Sequence, residues 1–277
     1  MSDYPLTWHK TPPTSTESPL RLLEVPQGQA GPRRESRVVE RLSPAARTLL
    51  GEVGAAFQRH AAGASGSTRI ALRGLGEEDR HAVLDLLGEG DVLAELGGPV
   101  AYRMSESVLP GLWHVVATEA DGTRSDWLEV GPVPQAVVHA AERMPRASVS
   151  IPERLPQGAM NALALLTELN ERSAGWDGSP ENHVINFTLL PITEADAEVI
   201  TTVLGQIPLV IRGGGYGSCR IFATGLRHVW AAQYMNASGK VILDTLEVGG
   251  VPVAALAARE DFEDSAKRLV EMMEAYA

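Results

Sequence analysis

The chain has 277 residues, of which 44% are hydrophobic and 21% charged, a composition typical of a soluble globular protein. Its formal net charge of −11 argues against nonspecific binding to nucleic acid or to an anionic membrane, because both need a positive face. The single cysteine, Cys219, excludes an intramolecular disulfide and a multi-cysteine zinc or iron–sulfur site, and it fits a reducing cytoplasm.

The N-terminal residues predict neither a signal peptide nor a membrane segment. They lack an apolar h-region, and no stretch of the chain approaches the roughly 20 apolar residues that a membrane span needs. Residues 1–36 contain six prolines among serine, threonine and glycine. This composition predicts a disordered or loosely docked arm.

The rest of the chain contains the same pattern twice. The segment Asp126–Glu142 (DWLEVGPVPQAVVHAAE) recurs as Asp244–Glu260 (DTLEVGGVPVAALAARE), 118 residues later and with ten of seventeen positions identical. Upstream the match continues at an offset of 117, which pairs Trp113 with Trp230. A period of this length is the size of a small domain. We therefore expect a first α+β repeat over residues 37–147 and a second over 148–277.

The predicted elements of the first repeat begin with a helix. Ser43-Pro44 predicts its start and the amphipathic pattern extends to about His60, since proline fits the first helical turn. A strand over Arg69–Arg73 and a helix from Glu77 to a stop at Leu87-Gly88 follow. Alternating patterns then predict four strands and a closing helix: Val92–Leu96, Ala101–Ser105, Trp113–Thr118, Ser125–Val130 and Pro134–Glu142.

The second repeat has the same order, with one addition at its end. Its predicted elements are a helix from Pro156 to about Glu171, a strand His183–Leu190, a helix capped by Thr193 with a Leu204-Gly205 stop, a strand region with a turn at Ser238-Gly239, and a closing helix Pro252–Arg259. An apolar stripe over Asp261–Ala277 predicts an extra terminal helix. The fold class is α+β: a tandem α-β-α-β-meander-α module with mostly antiparallel sheets and helices packed on one face.

A glycine-rich run, Arg212–Ile221, occurs only in the second repeat. It completes neither GxxxxGK[ST] nor GxGxxG, and it continues as a strand instead of opening a helix, so it does not predict a phosphate site. Its bare backbone suits a hairpin or bulge, or a loop that another chain can approach closely.

Two further residues of the second repeat, Cys219 and Trp176, each allow more than one interpretation. Cys219 aligns with Tyr102, which favours a small core residue, but His228 lies nine residues on and leaves a nucleophile–base pair possible. A Cys219/His228 metal site would lack a third and fourth protein ligand. Trp176, in a glycine-flanked loop, has no counterpart in the sequence alignment of the two repeats, and it could be a binding contact or a cover for a helix end.

Several sequence blocks resemble one known family. The run GGYGSCRIFATGLRHVWAAQYMN, with GKVILDTLEVGGVPVAALAAREDFEDSAKRL after it, resembles the C-terminal domain of the HupH/HyaF hydrogenase expression/formation proteins. The segments LGEEDRHAVLDLLGEGDV and GLWHV resemble the N-terminal half of that family, so the likeness spans residues 36–277. It implies a cytoplasmic, non-enzymatic accessory protein of [NiFe]-hydrogenase maturation, a chaperone or scaffold for the iron–sulfur small subunit before assembly and export.

The resemblance implies no cofactor and no catalytic residue. The implied partner is the small-subunit precursor, with the large subunit or a thioredoxin-like hydrogenase chaperone as alternatives. The rival hypotheses are a thiol- or metal-dependent maturation enzyme using Cys219 and His228, and an adaptor that binds another maturation protein. The predicted partner contacts all lie in the second repeat: Trp176, Gly213, Gly214, Gly215, Tyr216, Gly217, Cys219, Arg220 and His228. The extra terminal helix also distinguishes the second repeat.

Overall fold

The computed structural model describes residues 42–214 and 218–275. The predicted arm at residues 1–36 lies outside these ranges, and so do three of the predicted partner contacts, Gly215, Tyr216 and Gly217.

The helices begin and end where local chemistry favours it. Helix α1 (Pro44–Ala61) starts at Ser43, whose hydroxyl accepts the Ala46 N–H at 3.1 Å. Helices α2 (Glu77–Leu87) and α5 (Glu194–Leu204) end at Gly88 and Gly205, with φ of 57° and 61°, which confirms both predicted glycine stops. The remaining helices are α3 (Gln135–Arg143), α4 (Ala162–Gly175) and α6 (Arg259–Ala275).

Ten strands form one antiparallel sheet within the described residues. They are β1 (Thr68–Ala71), β2 (Val92–Leu96), β3 (Val100–Glu106), β4 (Leu112–Glu119), β5 (Arg124–Val130), β6 (His183–Asn186), β7 (Gln206–Gly213), β8 (Ser218–Thr224), β9 (Val229–Met235) and β10 (Val241–Val248). The strand order is β1-β5-β4-β3-β2-β7-β8-β9-β10-β6. The two repeats therefore meet at the β2–β7 pair and share one sheet.

Both faces of this sheet are covered. Across the β2–β7 junction Ala94 pairs with Ile211 and Leu96 with Leu209, and these four residues belong to one apolar core that extends into both repeats. The alternate positions face two further cores, one under α1, α2 and α6 and the other under α4 and α5. The five longest helices thus share a face, as predicted.

Helix α3 lies on the other face, contrary to the prediction that all helices pack on one side. Its Val137 and Ala140 are buried in the core that contains Trp113 and Trp230. Alternating strand residues leave both faces of the central strands apolar, so each face needs its own cover.

The segment after the last long strand of each repeat packs against the other repeat's helices. Helix α6, at the end of the second repeat, packs on α1, where Phe262 joins the first-repeat core and the Arg259 Nε–H donates to the Ala61 carbonyl at 2.7 Å. In the opposite direction, Val149 lies after α3 and exchanges two hydrogen bonds of 2.9 Å with the Asn170 side chain on α4. The apolar face of the terminal helix α6 is therefore buried by an intramolecular contact with α1.

Three predicted boundaries in the second repeat are wrong. Helix α4 begins at Ala162 and not at Pro156, because Asp196 Oδ1 accepts the N–H groups of residues 160, 161 and 162 at 2.8 Å each and fixes the first turn there. Strand β6 ends at Asn186, whose side chain accepts the Thr188 N–H at 2.9 Å and starts a turn. The predicted closing helix Pro252–Arg259 is only a 3-10 turn, Val253–Ala255, since the chain then departs toward α1.

Candidate functional site

Superposing the helical patterns of the two repeats gives Trp176 a counterpart. The buried residues Ala46, Leu49, Leu50 and Val53 of α1 match Ala162, Leu165, Leu166 and Leu169 of α4, an offset of 116 residues. The same offset relates Trp176, the extended residue directly after α4, to His60 in the last helical turn of α1. In helical register Trp176 is therefore related to His60, a relation that the alignment of the two loops does not show.

His228 also has a counterpart, Gly111 at an offset of 117. Both precede a strand and both have left-handed backbone, with φ of 60° at His228 and 80° at Gly111. Their carbonyls accept equivalent bonds, from the Gly249 N–H at 2.8 Å and the Gly131 N–H at 2.9 Å. His228 is the one non-glycine residue in the described ranges with positive φ, a conformation that costs about 1–2 kcal/mol for an L-residue.

In the first repeat the space above this turn is filled by α6. The ring of Phe262 stacks on His60, with 5.0 Å between centroids and 25° between planes. A Cβ atom at Gly111 would lie 2.4 Å from Phe262 Cε1, so the glycine makes room for the ring. The Ser265 hydroxyl adds a bond of 3.0 Å to the Pro110 carbonyl. Phe262 thus acts as an intramolecular plug.

In the second repeat the His228 side chain itself lies where Gly111 leaves room for Phe262, and a cleft bordered by Val138, Ala141 and Glu142 of α3 remains beside it. The His228 ring contacts Trp176, with 4.3 Å between centroids and 46° between planes. The cleft they share has an empty volume of about 460 Å³, partly open solvent, and its walls include Thr224, Gly250 and Pro145. Part of its size comes from a side-chain difference, because Ala223 stands where the first repeat has Glu106.

The first repeat holds a buried carboxyl at that point. Glu106 Oε1 accepts the Gly111 N–H at 2.8 Å, and desolvation raises the pKa of Glu106 to about 7 although this hydrogen bond opposes the shift. With Ala223 in its place, the second repeat has neither the carboxyl nor the phenyl ring.

The electrostatics of the cleft favour an uncharged His228. Burial lowers the pKa of His228, the neighbouring Arg227 lowers it further, and Glu142 partly offsets both. The Trp176 Nε1–H is buried and has no acceptor among the described residues. The cleft therefore presents the rings of Trp176 and Trp230, a neutral imidazole and an unpaired donor, with Glu142 and Thr224 as polar residues in its wall.

The remaining predicted contacts lie elsewhere in the sheet. Cys219 pairs with Tyr234, whereas the pair next to His228 is Ala223–Trp230, four positions along the hairpin. At about 3.3 Å per residue these four positions alone separate Cys219 from the Ala223–Trp230 pair by about 13 Å, and His228 lies two residues beyond Trp230. Burial also raises the pKa of the Cys219 thiol, which opposes thiolate formation. The structure does not bring these two residues together as nucleophile and base.

The glycines at the end of β7 have an intramolecular role. The Gly214 N–H donates to the Asp91 carbonyl at 2.8 Å, and a Cβ there would lie 3.2 Å from the same oxygen. A Cβ at Gly213 would lie 2.8 Å from Cys219 Sγ. Close approach within the sheet explains both positions without a second chain.

Arg220 belongs to a charged row on the helix-bearing face of the central strands. It lies directly opposite Arg212, a like-charge pair that is unfavourable in isolation. Glu95 offsets this charge through an ion pair with Arg212, and it also accepts from Arg103 at 3.5 Å. Arg220 itself is exposed and forms no ion pair with a described residue.

The described ranges contain neither a candidate metal centre nor a candidate membrane helix. Within residues 42–214 and 218–275 no group of three His, Cys, Asp or Glu side chains could hold a metal ion. None of the helices described is both long and apolar enough to cross a membrane.

Comparison with known proteins assigns the family. The profile of the HupH hydrogenase expression protein, C-terminal conserved region, matches twice, over residues 44–156 and 159–276. The chain belongs to this HupH family. The two matches also show the internal repeat, and each contains one half of the shared sheet.

Curated relatives of this HupH-family chain carry related names. The hydrogenase expression/formation protein HupH of Rhizobium leguminosarum bv. viciae is 43% identical over 204 residues, 72% of this chain and 71% of the relative. HupH of Rhodobacter capsulatus is 40% identical over 228 residues, 82% and 80% of the two chains. The hydrogenase-1 operon protein HyaF of Escherichia coli strain K12 is 36% identical over 205 residues, 73% and 71%.

A solved structure also matches this chain. The hydrogenase expression protein HupH from Thiobacillus denitrificans ATCC 25259 is 28% identical, covers 41% of this chain and 95% of its own, and gives a TM-score of 0.38.

Sequence comparison of the two repeats missed part of the HupH-family cleft. It identified Trp176 and His228 but not Ala223, Thr224 or Gly250. The signal was present: at an offset of 117 the first repeat has glutamate where the second has Ala223, and glycine where it has His228. Substitutions between equivalent positions, and not insertions alone, therefore mark where the two repeats differ in structure.

Proposed function

We propose that this chain is a non-enzymatic accessory protein of [NiFe]-hydrogenase maturation. It acts in the cytoplasm as a chaperone or scaffold that binds the iron–sulfur small-subunit precursor before assembly and export. The observation that carries the proposal is the family assignment over both repeats, together with relatives named as hydrogenase expression/formation proteins.

The geometry supports binding more than catalysis. The cleft at Trp176 and His228 is lined mainly by apolar and aromatic residues, with Glu142 and Thr224 as polar ones, and the Cys219 thiol does not line it. Cys219 is half-buried, and its raised pKa disfavours the thiolate form that would react. A protein surface of this kind contributes affinity through buried aromatic contacts.

The enzymatic alternative has a direct test. Cys219→Ala removes the sole thiol of the chain, so a thiol-dependent maturation step would stop. We expect hydrogenase activity in cells that carry Cys219→Ala to match the wild type. Loss of mature hydrogenase, with the variant still folded and abundant, would favour the enzyme over the binding protein.

The binding proposal is tested by capture of separate components. Tagged small-subunit precursor, large subunit and a thioredoxin-like hydrogenase chaperone are each immobilised and offered the full chain at equal concentration. We expect retention by the small-subunit precursor, through an interface on the order of 1,600 Å² in total. Retention by the thioredoxin-like protein alone would support the adaptor alternative, and retention by none of the three would contradict the proposal.

A further inference from the structure

The ten-stranded sheet has two outer edges, and the two differ in how they are protected. Strand β1 forms one edge and β6 the other, and no further strand of the described ranges pairs with either of them. An outer edge exposes backbone N–H and C=O groups, and charged side chains commonly prevent such an edge from pairing with another chain. Strand β1 carries a charge of this kind in Arg69, which is exposed and stacks on Trp127 at 3.6 Å.

Strand β6 has no such protection. Its four residues, His183–Asn186, include no lysine, arginine, aspartate, glutamate or proline, and no bulge interrupts their pairing with β10. The carboxylate that contacts this strand is compensated, because Glu168 Oε1 lies 2.9 Å from His183 Nε2 and also 2.9 Å from Arg172 Nε. In a chain with a net charge of −11, this edge is therefore a place where two copies meet with little charge repulsion.

The backbone groups that β6 directs outward are centred on Val184. The Phe187 N–H donates to the Asp244 carbonyl at 2.9 Å, so the alternation of an antiparallel ladder directs the backbone groups of Ile185 toward β10 and those of Val184 away from it. The Val184 residue is also 51% exposed. Both the backbone and the side chain of Val184 are thus open to a second strand.

Exposed apolar side chains lie at the end of this edge. Leu189, which is 80% exposed, belongs to the turn that closes β6, where its N–H donates to the Asn186 carbonyl at 3.3 Å. The Asp244 N–H donates to the Thr188 hydroxyl at 3.1 Å and holds this turn against the end of β10 that carries Ile242, which is 56% exposed. Apolar exposure beside an unpaired strand edge indicates a surface for association with another chain.

The centre of the sheet shows how two copies of this module join at a strand edge. At the β2–β7 junction Ala94 lies opposite Ile211, which is its own equivalent 117 residues later. Leu93 likewise lies opposite Arg212, the equivalent of Glu95. The two repeats are therefore paired antiparallel about a pseudo-two-fold axis, which is the geometry of the interface in a symmetric dimer.

We propose that the outer edge of β6 pairs with the same edge of a second copy of this chain, about a two-fold axis through Val184. The strands run antiparallel, and Val184 exchanges both of its outward backbone hydrogen bonds with its counterpart in the second copy. The two ten-stranded sheets then form one continuous sheet whose remaining edges are the β1 strands with Arg69, so association stops at the dimer. This inference goes beyond the proposed function and does not depend on it.

Sedimentation velocity of the full chain tests the pairing. Over concentrations from about 1 to about 200 µM we expect a monomer–dimer equilibrium with a dissociation constant on the order of 10 µM, because the paired edge is short. Val184→Lys places two like charges at the axis and should weaken the dimer by about tenfold or more. Val270→Lys is the matched control: it makes the same change at a valine of α6 that is 54% exposed, and it should dimerise as the wild type does.

Three results would overturn the proposal. The first is a full chain that stays monomeric throughout this range, and the second is a Val184→Lys variant that dimerises as tightly as the wild type. The third is an equal loss with Val270→Lys, which would assign the association to another face or to net charge. A monomeric chain whose capture by a tagged hydrogenase subunit is weakened by Val184→Lys would assign the edge to that subunit in place of a second copy. Both variants are checked for a wild-type circular dichroism spectrum and melting curve.

A chain with a single thiol locates the axis independently of the lysine variants. Cys219→Ala removes the sole native cysteine, and Val184→Cys in that background places one thiol at the axis. Directly opposite residues of a hydrogen-bonded antiparallel pair have Cα atoms about 5.5 Å apart, a separation that a disulfide spans. Glutathione disulfide should therefore convert this variant to a covalent dimer with release of reduced glutathione, while Val270→Cys in the same background stays monomeric. Cross-linking of Val184→Cys that is absent, or no greater than that of Val270→Cys, overturns the proposed axis.

Discussion

Gly111 and His228 occupy equivalent turns, yet we expect a side chain to be costly at Gly111 and its removal to be nearly neutral at His228. Gly111→Ala is the sharper test of this difference. At φ of 80° an alanine costs about 1 kcal/mol in backbone strain. Its Cβ would lie 2.4 Å from Phe262 Cε1, so the ring and α6 must retreat, and overpacking of this kind costs about 1–3 kcal/mol more. We expect a loss of about 2–4 kcal/mol in the free energy of unfolding.

Gly122→Ala is the matched control for that measurement. Gly122 has φ of 86°, yet a Cβ there would meet nothing within 4 Å, so it carries the strain without the clash. Urea unfolding of both variants, in wild-type and Phe262→Ala backgrounds, isolates the contact. In the Phe262→Ala background the two glycine variants should cost the same. Equal costs already in the wild-type background would show that Phe262 does not rest on Gly111.

Three further predictions concern the same repeats. His228→Gly should change the free energy of unfolding by less than about 1 kcal/mol, since relief of left-handed strain offsets the lost ring contact with Trp176; a loss above about 2 kcal/mol in urea would make the imidazole a structural requirement. Burial raises the pKa of Glu106 to about 7, so the folded state binds the Glu106 proton more tightly than the unfolded state does. The resulting contribution to the free energy of unfolding is complete below the ordinary glutamate pKa of 4.5 and is lost as pH rises through about 7. Glu106→Gln keeps an acceptor for the Gly111 N–H and should remove about 3 kcal/mol of that pH dependence; parallel stability curves for the two proteins between pH 4.5 and 7.5 would refute it. Asp196→Ala should cost at least about 3 kcal/mol by urea unfolding, because a fully buried carboxylate that accepts three N–H groups at 2.8 Å is removed; a cost below about 1 kcal/mol would mean that water replaces it.

Features fixed by local chemistry could be predicted from the sequence. The glycine stops at Gly88 and Gly205 and the hairpin turn at Gly239 follow from conformations that few other residues adopt. The start of α4 could not be predicted in this way, because Asp196 fixes it from another helix. The separation of Cys219 from His228 likewise depends on hairpin register, which residue spacing alone does not give.

The long-range arrangement was hidden for a different reason. Two copies of one module predict two sheets as readily as one, and only the β2–β7 pairing, with Ala94 opposite Ile211, decides between them. The packing of α6 on α1 joins residues that are 198 positions apart, as between Ala61 and Arg259. The hydrophobic periodicity of the sequence shows which face of a helix is apolar, but it does not show which repeat packs against that face.

The position of α6 has a consequence during synthesis on the ribosome. Helix α1 is made early, but the ring that completes its core, Phe262, emerges only after the strands and helices of both repeats. Until then the first repeat exposes apolar surface that the nascent chain cannot cover, while α4 already has the Val149 segment beside it. The last buried residues of the second-repeat core, Leu246 and Val248, thus precede Phe262 in the chain, so the repeat that is translated first receives the last of its core residues later than the other.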